Sequence, residues 1–233
     1  MRRLSGKKLK AARREFQKLC ILGLARPSKS PWATPIHLVE KGDGFRIVGD
    51  YRRLNQSTKP DRYPIKRLTD FTYILKDSKY YSTLDLKRTF NQIPVNPSDV
   101  EKTAVITPFG LFEYLGMCFG LRNAAQTFQR YADAALGDLP FAFVYIDDIL
   151  IASPTLEMHL EHIRIVLERL KAFALQLNLD KCQLARKEVS FLGYTINEQG
   201  YKPLPKKVKA ILNYPKPKTV DELRRFLGII NFY

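Results

Sequence analysis

Residues 141–152 read Phe-Ala-Phe-Val-Tyr-Ile-Asp-Asp-Ile-Leu-Ile-Ala, two adjacent carboxylates inside a stretch whose other ten positions are apolar. The β-branched and aromatic content on both sides predicts two strands meeting at Asp147-Asp148. Neighbouring side chains on one extended strand point to opposite faces, so a tight turn is needed to aim both acids at one place. Two like charges in an apolar setting are costly unless a cation neutralises them. Ligands that are all oxygen suit a hard divalent ion, magnesium or manganese before zinc. A solvated hairpin tip is the alternative, but such tips favour Asn-Gly or Asp-Gly.

A metal centre for phosphoryl chemistry needs a further acid to bridge two ions. Asp85 ends the strand candidate Tyr81-Ser-Thr-Leu84 and is the best candidate, although a strand-terminal Asp is also an ordinary turn residue. It precedes Asp147 by 62 positions, so only the fold could bring the two together.

The charge balance points to a polyanionic partner. Thirty-nine Lys and Arg oppose 23 Asp and Glu, a formal net charge of +16. Such an excess favours nucleic acid through phosphate neutralisation. Ten of the cations lie between Arg2 and Lys29 with Glu15 as the sole acid, and six lysines lie between Tyr201 and Lys218 with none. Cys20, Cys118 and Cys182 lack metal-ligand spacing and read as buried thiols of a reducing compartment. No apolar run reaches the length of a membrane span, and no apolar segment follows the basic N-terminus as in a secretory signal.

Helical spacing of Leu9, Ala12, Phe16, Leu19 and Cys20 predicts an amphipathic helix over 5–22, closed by Gly23. Ile36–Lys41 and Phe45–Asp50 predict strands joined by Lys41-Gly42-Asp43-Gly44. Asn123 is placed to cap a helix carrying Ala124, Phe128, Ala132 and Ala135. A further helix is expected to present Leu156, Leu160, Ile163, Val166, Leu167, Leu170 and Phe173 on one face, leaving His159 and His162 at the surface. Phe191–Ile196 predicts a strand, and Gly200 a turn. Thr219 and Glu222 have capping-box spacing ahead of a last helix. Trp32 is expected to be a packing anchor. Strands with interspersed helices and no βαβ alternation predict an α+β fold, an antiparallel sheet backed by helices.

Taken in order, these segments resemble the reverse transcriptase domain of Gypsy-type long-terminal-repeat retrotransposons and, more distantly, of retroviruses. The similarity is carried by Ser30-Pro-Trp-Ala-Thr-Pro35, Asp50-Tyr-Arg-Arg-Leu-Asn55, Asp61-Arg-Tyr-Pro64, Leu84-Asp85-Leu86 with Phe90 and Gln92-Ile93, and Lys102-Thr-Ala104. It continues through Phe119-Gly-Leu-Arg-Asn-Ala124, Thr127-Phe-Gln129, Tyr145-Ile-Asp-Asp148, Phe191-Leu-Gly193, Leu223-Arg-Arg-Phe-Leu-Gly228 and Asn231-Phe-Tyr233.

That resemblance implies a right-hand polymerase: fingers at 1–59 and 93–123, palm at 60–92 and 124–200, and at 201–233 the beginning of a thumb at which the chain stops. It implies an RNA-directed DNA polymerase, part of a Pol polyprotein whose protease, RNase H and integrase regions lie outside this chain. Asp85, Asp147 and Asp148 become the catalytic carboxylates, holding two Mg2+ (Mn2+ as substitute) with the Leu86 backbone. Lys41, Arg46, Lys87, Arg88, Thr89, Phe90, Phe119 and Gly120 become deoxynucleoside-triphosphate contacts, with the Phe90 ring excluding a ribose 2′-hydroxyl. Phe119 stands where retroviral relatives commonly have Gln, and Cys118 replaces the usual Pro. Arg52, Asn55, Gln129, Tyr145, Phe191, Leu192 and Gly193 become contacts to an RNA template or a DNA primer–template duplex. The implied location is intracellular, in a cytoplasmic virus-like particle. A polymerase fold that binds nucleic acid without synthesis, and an RNA-dependent RNA polymerase, are the competing readings; Phe90 opposes the latter.

Overall fold

The computed structural model describes Leu4, residues 6–42 and residues 44–230. Asp43 of the expected hairpin and the terminal Asn231-Phe-Tyr233 lie outside the described residues. In chain order the elements are α1 (Gly6–Ile21), β1 (Ala25–Pro27), β2 (Thr34–Lys41), β3 (Gly44–Gly49), α2 (Arg52–Ser57), β4 (Tyr80–Asp85), β5 (Val105–Thr107) and β6 (Gly110–Tyr114). There follow α3 (Ala124–Leu136), β7 (Ala142–Tyr145), β8 (Asp148–Ser153), α4 (Leu156–Ala172), β9 (Gln183–Arg186), β10 (Glu188–Phe191), β11 (Tyr194–Asn197), β12 (Gly200–Pro203), α5 (Pro205–Leu212) and α6 (Val220–Ile230). The chain divides into two compact units, one of Met1–Ile65 with Leu86–Ala134, the other of Lys66–Asp85 with Ala135–Tyr233.

In the first unit, five strands run in the order β1-β6-β5-β2-β3, with β2 and β5 parallel and the other pairs antiparallel. α1 closes as its sequence dictates: Gly23 takes φ +67, and the Leu24 amide donates to Leu19 O at 2.9 Å. The left-handed residue that ends a helix in this way is most often glycine. The helix buries Ala12, Phe16 and Leu19 in a core with Ile36, Leu38, Tyr51, Val105 and Tyr114. Tyr51 is 2% exposed, and its hydroxyl donates to Thr103 O at 2.7 Å, which makes burying that polar group tolerable. Asn123 does not cap α3 through its side chain. Its amide instead grips the preceding loop, with Nδ2 donating to Lys59 O and Oδ1 accepting from the Asp61 amide.

The second unit is built on an antiparallel sheet of order β7-β8-β4-β9, beside a three-stranded sheet β10-β11-β12. Phe71, Tyr81, Phe143, Leu150, Phe191 and Tyr194 fill its core. The expected strand over 191–196 is a hairpin: Phe191 pairs with Tyr194, and Leu192 and Gly193 form the two-residue turn at φ +46 and +89. Two consecutive positive φ values match the right-handed twist of the flanking strands.

α4 packs on β8 and β4 with only part of the expected face, through Ile163, Val166 and Leu170, and adds His159 to it. His159, Ile163, Val166 and Leu170 are buried, whereas Leu156, Leu160 and Leu167 are exposed. Hydroxyls from two strands make the buried His159 possible. Its Nε2 lies 2.7 Å from Ser82 Oγ on β4, and its Nδ1 lies 2.8 Å from Ser153 Oγ on β8. Ser153 Oγ also lies 2.7 Å from His162 Nδ1, and the His162 ring stacks on Phe141 at 3.6 Å. The two histidines are therefore structural members of this packing and not the surface residues their helical position predicts.

Candidate active site

The β7–β8 hairpin joins Tyr145 to its cross-strand partner Asp148 through Ile146 and Asp147 alone. Ile146 carries this turn at φ +53, where a two-residue hairpin normally places glycine. A β-branched residue held there is strained, on the order of 1–3 kcal/mol, and such strain gathers at functional sites. The turn leaves Asp147 exposed at the tip and starts β8 with Asp148 half-buried.

β4 runs antiparallel to β8 with Asp85 directly opposite Asp148. Two carboxylates in that relation repel each other. Burial first, then the charge of Asp147, then that of Asp85, push the Asp148 carboxyl up to about 6, against a smaller lowering pull from Lys181. Asp85 itself is held by groups from the segment before β9: Lys181 Nζ reaches its two oxygens at 3.0 and 2.9 Å, and Asn178 Nδ2 reaches Oδ1 at 3.2 Å. The Asn178 amide also donates to Asp85 O at 2.8 Å. Neither Asn178 nor Lys181 emerged from the sequence, because a contact across 96 positions leaves no local signal.

Three oxygen-donor carboxylates, one of them pushed up to about 6 by burial and then by its two acidic neighbours, have the chemistry of a hard divalent-cation site. The Lys181 ammonium is already a cation on one of them. Among the described residues, no three His, Cys, Asp or Glu side chains close around a metal position. The Asp85 oxygens are turned toward Lys181 and Asn178.

The first unit carries the residues expected to contact a deoxynucleoside triphosphate. A pocket of about 220 Å³ is lined by Glu15, Lys41, Arg46, Arg88 and Phe119, among others. The Arg46 guanidinium lies over the Phe119 ring at 4.7 Å, and Arg88 pairs with Glu15 at 2.9 Å. Both cations are thus held in place by neighbours. Arg88 sits at φ +50, and Thr89 is buried with its hydroxyl donating to Leu86 O at 3.2 Å. Lys87 is exposed, and its carbonyl accepts from Gln92 Nε2 at 2.6 Å. Phe90 packs edge-on against Phe119 at 5.0 Å and Phe128 at 6.1 Å. Gly120 has φ +97, and a Cβ there would meet Gly49 O at 2.8 Å, so no larger residue fits without displacing backbone.

The residues expected to contact template and primer separate into two kinds. Arg52 is exposed but engages both oxygens of Asp50 at 2.6 and 2.7 Å. The Asn55 side chain is committed to backbone, donating to Gly120 O at 2.8 Å and accepting from the Arg122 amide at 2.9 Å. Tyr145 is half-buried against the second unit's core, and Leu192 and Gly193 form the hairpin turn. Gln129 and Phe191 have no surface to offer a strand. Gln129 is fully buried, with Nε2 donating to Asp133 Oδ1 at 3.1 Å. Phe191 is 4% exposed, edge-on to Phe71 at 5.8 Å. Trp32 is 39% exposed and lines a pocket, so it is not the packing anchor expected. Of the cysteines only Cys118 is buried, and all three are free thiols.

Comparison with known proteins gives a consistent picture. The family described as "Reverse transcriptase (RNA-dependent DNA polymerase)" matches residues 39–196. Among curated proteins, the Pol polyprotein of Drosophila melanogaster transposon 297 is 42% identical over 227 residues, covering 94% of this chain and 21% of that protein. The Pol polyprotein of transposon gypsy from the same species is 37% identical, covering 94% and 22%. A Schizosaccharomyces pombe Tf2-3 polyprotein is 36% identical, covering 97% and 17%. The chain thus spans about a fifth of the length of the curated relatives it matches. Among solved structures, a foamy viral protease-reverse transcriptase in complex with double-stranded DNA superposes at a TM-score of 0.91 with 27% identity, covering all of this chain and 41% of that one. The same type of protein in complex with an RNA/DNA hybrid gives 0.86 with 28% identity, covering 99% and 31%.

Proposed function

This chain belongs to the reverse transcriptase family, in the company of gypsy-type retrotransposon Pol polyproteins, and from that premise we propose that it adds deoxynucleotides to a primer 3′-hydroxyl on RNA or DNA templates. The observation that carries the proposal is the register that sets Asp85 opposite Asp148, beside the strained turn that presents Asp147.

In this reading Asp85, Asp147 and Asp148 hold two Mg2+, or Mn2+ in their place, with the Leu86 carbonyl as a further donor. Ions bound there would lower the pKa of the primer hydroxyl and neutralise charge on the transferred and departing phosphates. The protein's own part is positioning. The β4–β8 register fixes two of the acids before substrate arrives, and the Ile146 turn fixes the third. Lys41, Arg46 and Arg88 hold the triphosphate; Arg46 and Arg88 are already oriented by Phe119 and Glu15, so less side-chain freedom is lost on binding. Lys87 and Thr89 contribute through their backbone amides. Phe90, braced by Phe119 and Phe128, lies against the sugar, and Phe119-Gly120 lines the pocket below the base.

Template and primer contacts fall to Arg52, Asn55, Tyr145, Leu192 and Gly193, with Asn55 acting through the loop it braces. Residues 1–59 and 93–123 serve as fingers, 60–92 and 124–200 as palm, and 201–233 as the beginning of the thumb. Partners are an RNA template, a DNA primer–template duplex and deoxynucleoside triphosphates, with protease, RNase H and integrase regions elsewhere in the polyprotein. Among the described residues no helix is long and apolar enough to cross a membrane. The proposed location is an intracellular particle.

Primer extension on poly(rA)/oligo(dT) tests the reading. Magnesium-dependent dTTP incorporation that exceeds UTP incorporation and disappears in Asp147→Asn is the expected result. Equal activity in the variant would remove these carboxylates from the chemistry. Salt-sensitive binding to primer–template without any synthesis would favour the binding-only reading.

A further inference from the structure

We propose that the outer face of α1, together with the concavity beside it, is a docking surface for single-stranded nucleic acid. No residue of this surface belongs to the carboxylate or nucleotide-contact sets above, and the inference stands whether or not synthesis is observed.

The first observation is a stripe of charge. Ala12, Phe16 and Leu19 commit one side of α1 to the core. On the other side Lys7, Lys10, Arg14 and Lys18 recur at spacings of three and four, with Arg13 and Gln17 alongside, all exposed. At 1.5 Å per residue the stripe runs about 16 Å. Among the described residues none of these four cations has an acidic partner within ion-pair distance. Glu15, the only acid of the helix, is engaged by Arg88 at 2.9 Å. Like charges at i,i+4, as in Lys10–Arg14 and Arg14–Lys18, repel each other along the helix. A row of phosphates would turn that repulsion into attraction.

The second observation is apolar. A concavity of about 660 Å³ adjoins the stripe, lined by Arg13, Gln17, Cys20, Ile21, Phe109 and Phe112 together with Phe16. Ile21 is 85% exposed, Phe109 and Phe112 are half-buried, and the Arg13 guanidinium lies 5.5 Å from the Phe109 ring centre. Cations tracking a backbone beside an aromatic concavity are what an unpaired strand requires, because its bases are free to leave the stack. A duplex keeps its bases inside and would use the stripe alone. Binding to an anionic membrane would need an apolar helix face free to insert, and that face of α1 is in the core.

The test compares the wild-type chain with Lys7→Gln/Lys10→Gln/Arg14→Gln/Lys18→Gln and with Ile21→Ser, using fluorescence anisotropy at several salt concentrations. The probes are a dT30 oligonucleotide, a blunt-ended DNA duplex and phosphatidylserine vesicles. The quadruple variant should bind dT30 at least tenfold more weakly at low salt. Its log–log salt slope should be shallower by about three units, at 0.7 per lost phosphate contact. Ile21→Ser should weaken dT30 binding severalfold with the slope unchanged. Both variants should keep the wild-type circular dichroism and the wild-type rate of primer extension at saturating primer–template. Unchanged dT30 affinity and slope in the quadruple variant would overturn the proposal. So would an Ile21→Ser loss on the blunt duplex equal to that on dT30, or vesicle binding that the quadruple variant loses while dT30 binding persists.

Discussion

Lys181 Nζ sits 3.0 and 2.9 Å from the two oxygens of Asp85, so an ammonium occupies the edge of the carboxylate group that the proposed chemistry assigns to divalent ions. The pair is half in solvent, with side-chain exposures of 55% for Lys181 and 22% for Asp85, so its own contribution is small. Its effect is competitive: an ion approaching Asp85 must displace the ammonium or share the oxygens with it.

Lys181→Met removes that competitor. Free-Mn2+ titration by electron paramagnetic resonance should show tighter binding, by about two- to tenfold, the equivalent of a pair worth about 0.4–1.4 kcal/mol. In EDTA the same variant should melt lower than wild type, because three acids then face one another with one cation fewer. Weaker Mn2+ binding would mean that Lys181 assists the ion.

Asp148 gives the metal-free protein an unusual pH response. Its carboxyl is raised to about 6 by burial, then by Asp147 and Asp85. Between the ordinary value near 3.9 and about 6, the folded chain holds a proton that the unfolded chain has released. Stability from this group therefore falls as pH rises through that window and stays low above it. Because Asp148 is partly exposed, the penalty is on the order of 1–2 kcal/mol after solvent screening. Asp148→Asn should raise metal-free stability at pH 7–8 by that amount in chemical denaturation, with little effect at pH 4. Saturating Mg2+ should shrink the difference by stabilising wild type. A variant no more stable than wild type at pH 7–8 in EDTA would contradict the charge crowding.

The Tyr145–Asp148 turn was legible in the sequence because alternatives were few: two acids inside an apolar run require a turn and a counter-charge. α1, β2, β3 and β4 were legible for a similar reason, each stating its period and its stop. Lys181 and Asn178 were not, since both reach Asp85 only through the folding of β9 alongside β4. The turn at Leu192-Gly193 was hidden because one left-handed position is filled by Leu, which carries no turn signal. His159 misled through its polarity. Helical position alone placed it with the charged residues, and only Ser82 and Ser153, on strands far away in sequence, reveal that burial is affordable there.

Those two serines yield a second pH prediction, opposite in sign. The His159 imidazole is held down at about 4 by burial and then by His162. Below the ordinary value of 6.5, the unfolded chain takes up a proton that the folded one refuses. The stability contributed by neutral His159 is thus complete above 6.5 and drains away as pH falls to about 4, on the order of 2 kcal/mol. Asp148 and His159 therefore oppose each other between pH 4 and 6. Relative to wild type, His159→Gln should make stability fall more steeply with rising pH in that window, and Asp148→Asn should make it rise more steeply. Parallel slopes in all three proteins would rule out both assignments. Ser153→Ala should cost about 1–3 kcal/mol at pH 7, since Nδ1 of both histidines loses its partner.

Phe90 offers the sharpest test of sugar selection. Its ring is clamped edge-on between Phe119 at 5.0 Å and Phe128 at 6.1 Å, so it cannot swing aside for an extra oxygen at small cost. Phe90→Ala opens the volume of a benzyl group beside the proposed sugar position. The ratio of kcat/KM for dTTP over UTP on poly(rA)/oligo(dT) should fall by about 10- to 100-fold, which corresponds to relieving a clash of about 1.4–2.8 kcal/mol. The loss should come mainly from faster UTP incorporation, because dTTP never met the clash. Some stability will go with the lost aromatic contacts, so Phe90→Tyr serves as the control: it retains the ring, and discrimination should stay within about threefold of wild type, a difference of at most about 0.65 kcal/mol. An unchanged ratio in a folded Phe90→Ala protein would mean that ribose is excluded elsewhere, and Phe90 would then be a packing residue only.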